Sequence, residues 1–434
     1  MNPSLNPNPR AAAHATASAP TPSAASAQTQ ATARLPAAAR TALQLMEKLA
    51  QGSLTLHGPD SFVRQFGNGQ APHASIRLAN WKVCSAALKS GDIGFAEGFI
   101  AGDWSSPNLT ELLQLFISNR REIESVIYGN WLGRLVYRIQ HLRNRNTRAN
   151  SEKNIHAHYD LGNAFYALWL DGTMNYSSAW FEGKADAQNG QNAQDLQQAQ
   201  HAKVRRALRM VNAQPGERIL EIGCGWGALA EKAALEFGAK VTGVTLSHAQ
   251  LRYAQERMQA VSAQTGIASD LRLQDYRDIA DGPYDAVCSI EMVEAVGREY
   301  WPTYFAAVAK ALKSGGRACI QSIVIDDALF ERYVGSTDFI QQYIFPGGCL
   351  PCPREFRKAA AAAGLQVVDE LAFGADYAET CRQWRETFLA QREAVLQLGF
   401  DQRFMRIWEF YLAYCEAAFA KANIDVVQYT LLKA

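Results

Sequence analysis

The sequence predicts an α/β protein: a mostly parallel, seven-stranded sheet with helices on both faces, preceded by a smaller α+β domain. Three observations carry this prediction. From about residue 154 onward, strand-like apolar runs alternate with helical stretches, and alternation of that kind means parallel strands joined by helical crossovers. The first run of the series ends in Gly223-Cys224-Gly225-Trp226-Gly227 and is followed by a helix. With 434 residues, 48% of them apolar, the chain is long enough for two domains and a substantial buried core.

Composition narrows the function. Forty-three Lys and Arg against 42 Asp and Glu leave a net charge of +1, so there is no chain-wide attraction to nucleic acid and none is expected as a partner. Charged residues at 20% and aromatics at 10% exclude disorder throughout. No run approaches the roughly 18 consecutive apolar residues of a membrane-spanning helix, so contact with lipid must be peripheral. The eight cysteines are scattered through apolar segments and read as reduced thiols of a cytoplasmic protein.

Residues 1–37, rich in Ala, Pro, Ser, Thr, Asn and Gln, contain only Leu5 and Leu35 as large aliphatics and are expected to be disordered. Their lack of acids and their arginines also match an organellar transit peptide. Residues 38–145 read as the accessory domain. A helix is expected from about Arg40 to Ala50, then strands Ser53–His57 and Ala74–Leu78, and helical segments at Ser85–Leu88 and Leu109–Ile117. The phrase from Glu97 to Trp104 reads as a loop or helix end, and nothing in this half has the arrangement of a catalytic site. Such an accessory domain is a place for self-association into a homodimer. From Trp131 to Arg148 five arginines accompany Leu132, Leu135, Val136, Ile139 and Leu142 at near-helical spacing, with no acid. That segment reads either as an amphipathic foot on anionic phospholipid or as a solvated linker helix.

Residues 146–434 form the expected catalytic domain. Its strands are read at Arg218–Ile222, Lys240–Thr245, Asp270–Leu273, Tyr284–Ile290, Arg317–Ile325, Leu365–Leu371 and Val426–Leu432, with helices notably at 226–237, 247–260 and 299–313. In such sheets ligands bind at the carboxyl ends of the strands. Two stretches, 326–353 and 376–424, depart from simple alternation and are positioned to cover a pocket.

The turn after the first strand is chemically informative. Glycines permit a tight bend and close approach of backbone to ligand. The spacing of Glu221, Gly223, Gly225 and Gly227 is neither that of a phosphate loop nor that of a dinucleotide fingerprint, and an acid before the first glycine favours a cationic ligand. This motif resembles that of the S-adenosylmethionine-dependent methyltransferases. On that reading Thr245, Leu246 and Gln250 lie at the ribose, where other members carry an acid. Asp275 accepts from the adenine amine while Tyr276 packs on the ring.

A more specific resemblance runs through His156-Ala157-His158-Tyr159-Asp160-Leu161-Gly162-Asn163, Thr173 to Phe181, Ser289 to Gly297, Tyr343 to Gly348, Phe373 to Tyr377 and Tyr411 to Phe419. These stretches resemble the cyclopropane-fatty-acyl-phospholipid synthases, including the mycolic acid cyclopropane synthases, over about 154–433. The resemblance implies a Rossmann-like class I methyltransferase bound peripherally at the inner face of the membrane. It transfers the methyl of S-adenosylmethionine to a cis double bond in a phospholipid acyl chain, with Tyr176 and Ser177 at the cofactor. An unactivated alkene has no nucleophile to generate, so alignment and cation stabilisation must do the catalysis. Tyr176, Trp180, Tyr343 and Phe345 are candidate aromatic faces for that cation. Ring closure then needs a base, and in this family a bound bicarbonate serves.

Carried over by motif, the bicarbonate site comprises Glu294, Tyr377 and the backbone of Ile323. Gln321 stands where the family has His, and Ser178 where it has Cys. Losing the imidazole removes a titratable group, so a methyl- or methylene-branched chain is the near alternative to a ring. A methyltransferase for a soluble nucleophile and a non-catalytic lipid-binding protein are the more distant ones. Cys415 matches a Cys labelled as active in the family, although the chemistry needs no thiol and a buried structural role is the plainer reading. Cys349 and Cys352 have redox spacing without the setting for redox or zinc. His156 and His158 read as hydrogen-bonding residues near the substrate mouth.

Overall fold

The structure, a computed structural model, describes residues 35–123, 161–182 and 195–434. The basic segment 131–148, His156, His158 and residues 1–34 of the tail lie outside the described residues.

The accessory domain begins with α1 (Ala37–Met46), whose Ala39, Leu43 and Met46 repeat at helical spacing and are buried. It starts and ends a few residues before the expected span, with Pro36 at its N-cap and Glu47 at its C-cap. Strands β1 (Ser53–His57), β2 (Val63–Gly67) and β3 (His73–Leu78) follow. In β1 and β3 the apolar residues alternate inward, as read from sequence. Strand β2 buries only Phe66 and therefore lacks the alternation that would reveal it. Helix α2 (Lys82–Ala101) ends inside the stretch expected as a loop or helix end, closing at Gly102 in the left-handed region. Beyond it come β4 (Trp104–Ser105) and α3 (Leu109–Ser118). The four strands form one sheet in the order β2-β1-β3-β4.

Helices α4 (Asn163–Ala167) and α5 (Leu196–Met210) lead into the larger domain. There follow β5 (Arg218–Ile222), α6 (Ala228–Phe237), β6 (Lys240–Thr245), α7 (His248–Thr265), β7 (Asp270–Leu273), β8 (Tyr284–Ile290), α8 (Val293–Val296), α9 (Trp301–Ala311) and β9 (Leu312–Ile325). The chain continues through α10 (Phe330–Val334), α11 (Phe339–Tyr343), α12 (Pro353–Ala362), β10 (Leu365–Ala372), α13 (Gly374–Ala390), α14 (Arg392–Gln397), α15 (Gln402–Ala420) and β11 (Ile424–Lys433). The seven strands lie in the order β10-β11-β9-β8-β5-β6-β7. Strands β5 to β9 pair in parallel, and β11 runs antiparallel to both its neighbours. This is the mostly parallel sheet that the alternation predicted.

The chain leaves β5 towards β6 on one side and returns as β8 on the other, so the crevice at their carboxyl ends lies at a switch point. Glu221 stands there, paired across to Gly243 of β6 and Cys288 of β8. The two insertions become α10–α11 and α13–α15. Helix α15 also joins the domains: its Phe410 ring lies 5.7 Å from Phe99 and 6.5 Å from Trp104. Beside them, buried Glu416 accepts hydrogen bonds from Thr110 Oγ1 at 3.0 Å and Arg385 Nε at 2.8 Å. Among the described residues no helix is long and apolar enough to cross a membrane.

Candidate active site

A cavity of about 130 Å³ opens at the end of β5. Tyr176, Ser177, Glu221, Gly223, Gly225, Thr245, Leu246, Gln250 and Tyr276 all line it, as the motif reading expected. Gly223 has φ +86°, and a Cβ there would fall 2.4 Å from Met292 Cγ, so glycine is required. A Cβ on Gly225 would meet open space, leaving its backbone accessible to a ligand. Gly227 is different. It caps α6 and packs against Ala254 of α7, where a Cβ would sit 3.1 Å away, and it does not line the cavity. Asp275 needs a second correction. Its carboxylate accepts from the Arg277 backbone N–H at 2.9 Å and from Arg277 Nε at 2.8 Å, and Gln274 lines the cavity instead.

Glu221 is buried and its Oε2 atom has no hydrogen-bond partner. Burial raises its pKa well above the ordinary carboxylate range, opposed by the charge of Lys203. An under-satisfied buried acid next to a bare backbone turn suits the amino group of S-adenosylmethionine. Thr245 Oγ1 donates to Gln250 Oε1 at 3.0 Å, fixing that pair beside it. Lys203, one lysine among the polar residues of α5 and without a motif around it, is fully buried. Its Nζ donates to Ser177 Oγ at 2.5 Å, and Gln200 Nε2 donates to the Ser177 carbonyl at 2.8 Å. Desolvation lowers the Lys203 pKa to about 8, while Glu291, Asp171 and Glu221 favour its charged form.

A second cavity of about 250 Å³ meets the first at Tyr176 and Glu291, which line both. Its walls come from the two insertions: Tyr333, Ile340 and Phe345 from the first, Tyr377, Cys381, Tyr411, Cys415 and Phe419 from the second. Glu294 and Ile323 border it as well. The donors expected to hold bicarbonate converge on a protein carboxylate. Glu291 Oε1 accepts from the Ser178 backbone N–H at 2.9 Å and from Gln321 Nε2 at 2.7 Å, and Glu291 Oε2 accepts from Tyr377 Oη at 2.7 Å. Ser178 Oγ is turned to the Ala179 carbonyl. The Ile323 N–H donates to Glu294 Oε1, whose partner Oε2 has no hydrogen bond. As arranged, this donor set does not fit bicarbonate, because Glu291 already takes its hydrogen bonds.

Gln321 is held in register by a chain of amides. Its Oε1 accepts from Gln428 Nε2 at 2.9 Å, and Gln428 Oε1 accepts from Arg206 Nη1 at 2.9 Å. That chain orients the Gln321 amide so that its Nε2 faces Glu291. Burial raises the pKa of both acids, Glu294 to about 8 with the Glu291 charge as a further cause, while Lys203 and the three donors favour the charged form of Glu291. The hydrogen bonding separates the two: three donors point at the Glu291 oxygens, whereas Glu294 receives one and keeps an unpartnered oxygen.

Of the aromatic candidates, Tyr176 and Phe345 face the second cavity, and Tyr176 Oη lies 2.7 Å from Tyr411 Oη. Tyr343 instead donates to Glu97 at 2.7 Å, and Trp180 lines neither cavity. Tyr411 was missed as a site residue because its motif reads only as an apolar helix face. Cys415 lines the cavity, but burial raises its thiol far above the range of a nucleophile. Cys349 and Cys352 are free and buried, raised to about 12 and 11. Among the described residues no group of three His, Cys, Asp or Glu is placed to hold a metal.

Known proteins match this architecture. The family model for mycolic acid cyclopropane synthetase matches residues 146–429. Tuberculostearic acid methyltransferase UfaA1 of Mycobacterium tuberculosis is 38% identical over 382 residues, covering 88% of this chain and 83% of the relative. The cyclopropane-fatty-acyl-phospholipid synthase of Escherichia coli is 33% identical over 363 residues, covering 83% of this chain and 88% of the relative. The crystal structure of mycolic acid cyclopropane synthase CmaA1 with SAH and CTAB superposes with a TM-score of 0.59 at 29% identity, covering 65% of this chain and 98% of that one. With the glycine turn, the buried acid and the adjoining apolar chamber in place, the chain belongs to the mycolic acid cyclopropane synthetase family and is an S-adenosylmethionine-dependent methyltransferase of the cyclopropane synthase type.

Proposed function

We propose that this enzyme methylates the cis double bond of an unsaturated phospholipid acyl chain and closes a cyclopropane ring on it. The observation that carries this reading is the junction at Tyr176 and Glu291, where the cofactor cavity opens into a largely apolar chamber with a carboxylate at its edge. Bound beside Glu221, S-adenosylmethionine supplies an electrophilic methyl. Glu221 and the Thr245–Gln250 pair hold its polar ends, and the Tyr176 side chain stands between the two cavities. The chamber takes the hydrocarbon. Aromatic faces of Tyr176, Phe345 and Tyr411 stabilise an alkyl cation by roughly 0.5–2 kcal/mol each, and the helical insertions exclude water that would trap it as an alcohol.

The similarity to a tuberculostearic acid methyltransferase favours a second reading, in which the cation loses a different proton and leaves a methyl- or methylene-branched chain. Expression in cells with cis-unsaturated phospholipids, followed by mass spectrometry and proton NMR of the fatty esters, tests both. Acyl species heavier by one CH₂ are expected. Upfield ring protons identify the cyclopropane and exomethylene or branched-methyl signals the second product, whereas unchanged lipids with demonstrated cofactor binding refute an acyl substrate. The enzyme meets that substrate at the membrane surface through the basic segment containing Arg138 and Arg143. Reversing both charges should weaken binding to anionic vesicles, and equal binding by the variant would rule that foot out.

A further inference from the structure

We propose that Glu291 is the base of this reaction, a carboxylate built into the chain at the place where the family uses bicarbonate. Its two oxygens receive the Ser178 N–H, Gln321 Nε2 and Tyr377 Oη, three of the groups that the family resemblance assigned to the anion. It lines both the cofactor cavity and the chamber, so it lies where the transferred methyl arrives. Its backbone has φ +53°, a conformation a glutamate adopts only when its surroundings hold it there. Lys203 compensates its charge, while burial keeps Glu294 protonated at neutral pH and leaves Glu291 as the acceptor. In the step assigned to it, a C–H bond of the methylated acyl cation breaks. Its electron pair forms the new C–C bond of the ring, and the proton passes to a Glu291 oxygen.

This inference rests on the acyl-chain reading, and wild-type turnover separates the two. If wild-type protein forms no acyl product heavier by CH₂, the acyl reading fails; the role of Glu291 is judged on product that does form. Turnover is measured in carbon-dioxide-free buffer and again with added bicarbonate. Wild-type rates should agree within twofold. Glu291→Gln retains acceptors for Ser178 and Gln321 and should lose at least a hundredfold in kcat, with S-adenosylhomocysteine affinity within threefold of wild type. Glu291→Gly suits the positive φ, opens the seat, and should regain activity with added bicarbonate or formate. A bicarbonate requirement in the wild type, or near-normal turnover by Glu291→Gln, would overturn the assignment.

An independent observation extends the substrate site. A third cavity of about 170 Å³ lies inside the accessory domain, walled by side chains such as Leu56, Ile76, Val83, Phe95 and Phe116. It shares Asp92, Arg120, Tyr414, Ala418 and Asn423 with the reaction chamber. Well-packed interiors hold few voids larger than a water molecule, and an apolar cavity of about 150 Å³ stays dry and takes up a benzene-sized hydrocarbon. The geometry points to the methyl-terminal end of the acyl chain as its occupant, passing the Asp92–Tyr414 hydrogen bond of 3.0 Å. The accessory domain would then measure the chain beyond the double bond. Val83→Phe should shift product at least fivefold towards chains with short methyl-terminal segments, and Phe116→Ala should shift it the other way. As a check independent of any substitution, a cis-unsaturated phospholipid with a terminal diazirine should label wild-type peptides within residues 42–87, which line the third cavity and not the chamber. Absence of label from residues 42–87, while methylated product still forms, would refute this inference and leave the acyl reading intact.

Discussion

Replacing Tyr377 by Phe removes one hydrogen bond from the Glu291 carboxylate and keeps the ring stacked on Phe419, 4.3 Å away between centroids. Hydrogen bonds to a charged group contribute about 1.5–3 kcal/mol, and one pKa unit corresponds to about 1.36 kcal/mol. Loss of a donor to the charged form therefore raises the Glu291 pKa by about 1–2 units. The other charged or titratable groups facing it are Lys203, Glu294 and the Cys381 and Cys415 thiols, and none of them is altered. Tyr377 itself stays neutral, because burial and the Glu291 charge raise its own pKa. One unit above the wild-type pKa, a rise of about 1.5 units cuts the ionised fraction from about 0.9 to about 0.25. The assay is kcat against pH for formation of the cyclopropane product on unsaturated phospholipid vesicles. The acid limb should move to higher pH by about 1–2 units, with wild-type rates recovered at the alkaline end. An acid limb at the wild-type position, or a loss that raising the pH does not restore, would refute the role given to Glu291.

Glu294→Gln replaces a carboxyl that burial keeps neutral by a neutral amide and should be more stable than the parent at alkaline pH. Between pH 4.5 and about 8 the unfolded chain releases a proton that folded Glu294 retains, so parent stability falls as pH rises; urea titrations should show the variant's advantage growing to about 4 kcal/mol at pH 8, and an equal difference at pH 5 and 8 would contradict this. Gly223→Ala places a methyl against Met292 at positive φ and should weaken S-adenosylhomocysteine binding at least tenfold by calorimetry, so a near-normal Kd would count against the turn's role. Cys415→Ala should keep turnover within about threefold of wild type, since a thiol held protonated by burial does no nucleophilic chemistry.

How far the sequence could be read depended on whether the signal was local. The seven strands, the glycine turn and the covering insertions were legible because each is a pattern over a few neighbouring residues. Glu291 and Glu294 stood in one quoted motif, but only Glu294 was assigned. The significance of Glu291 depends on donors from residues 178, 321 and 377, whose convergence is set by β9, α13 and the loop before α5. Lys203 was invisible for the same reason, being a single lysine in a polar helix that is fully buried only once the sheet packs on it. Asp275 shows the converse: its position matched an adenine acceptor, while its neighbour Arg277 had already engaged it.

Periodicity and turn chemistry thus sufficed for the α/β architecture and for a cationic ligand at the first strand, because secondary structure and tight turns follow from steric preferences of adjacent residues. Which carboxylate occupies the anion seat, and that the hydrocarbon chamber continues into the accessory domain, emerge only after distant segments meet, because burial and hydrogen-bond direction are properties of the packed whole.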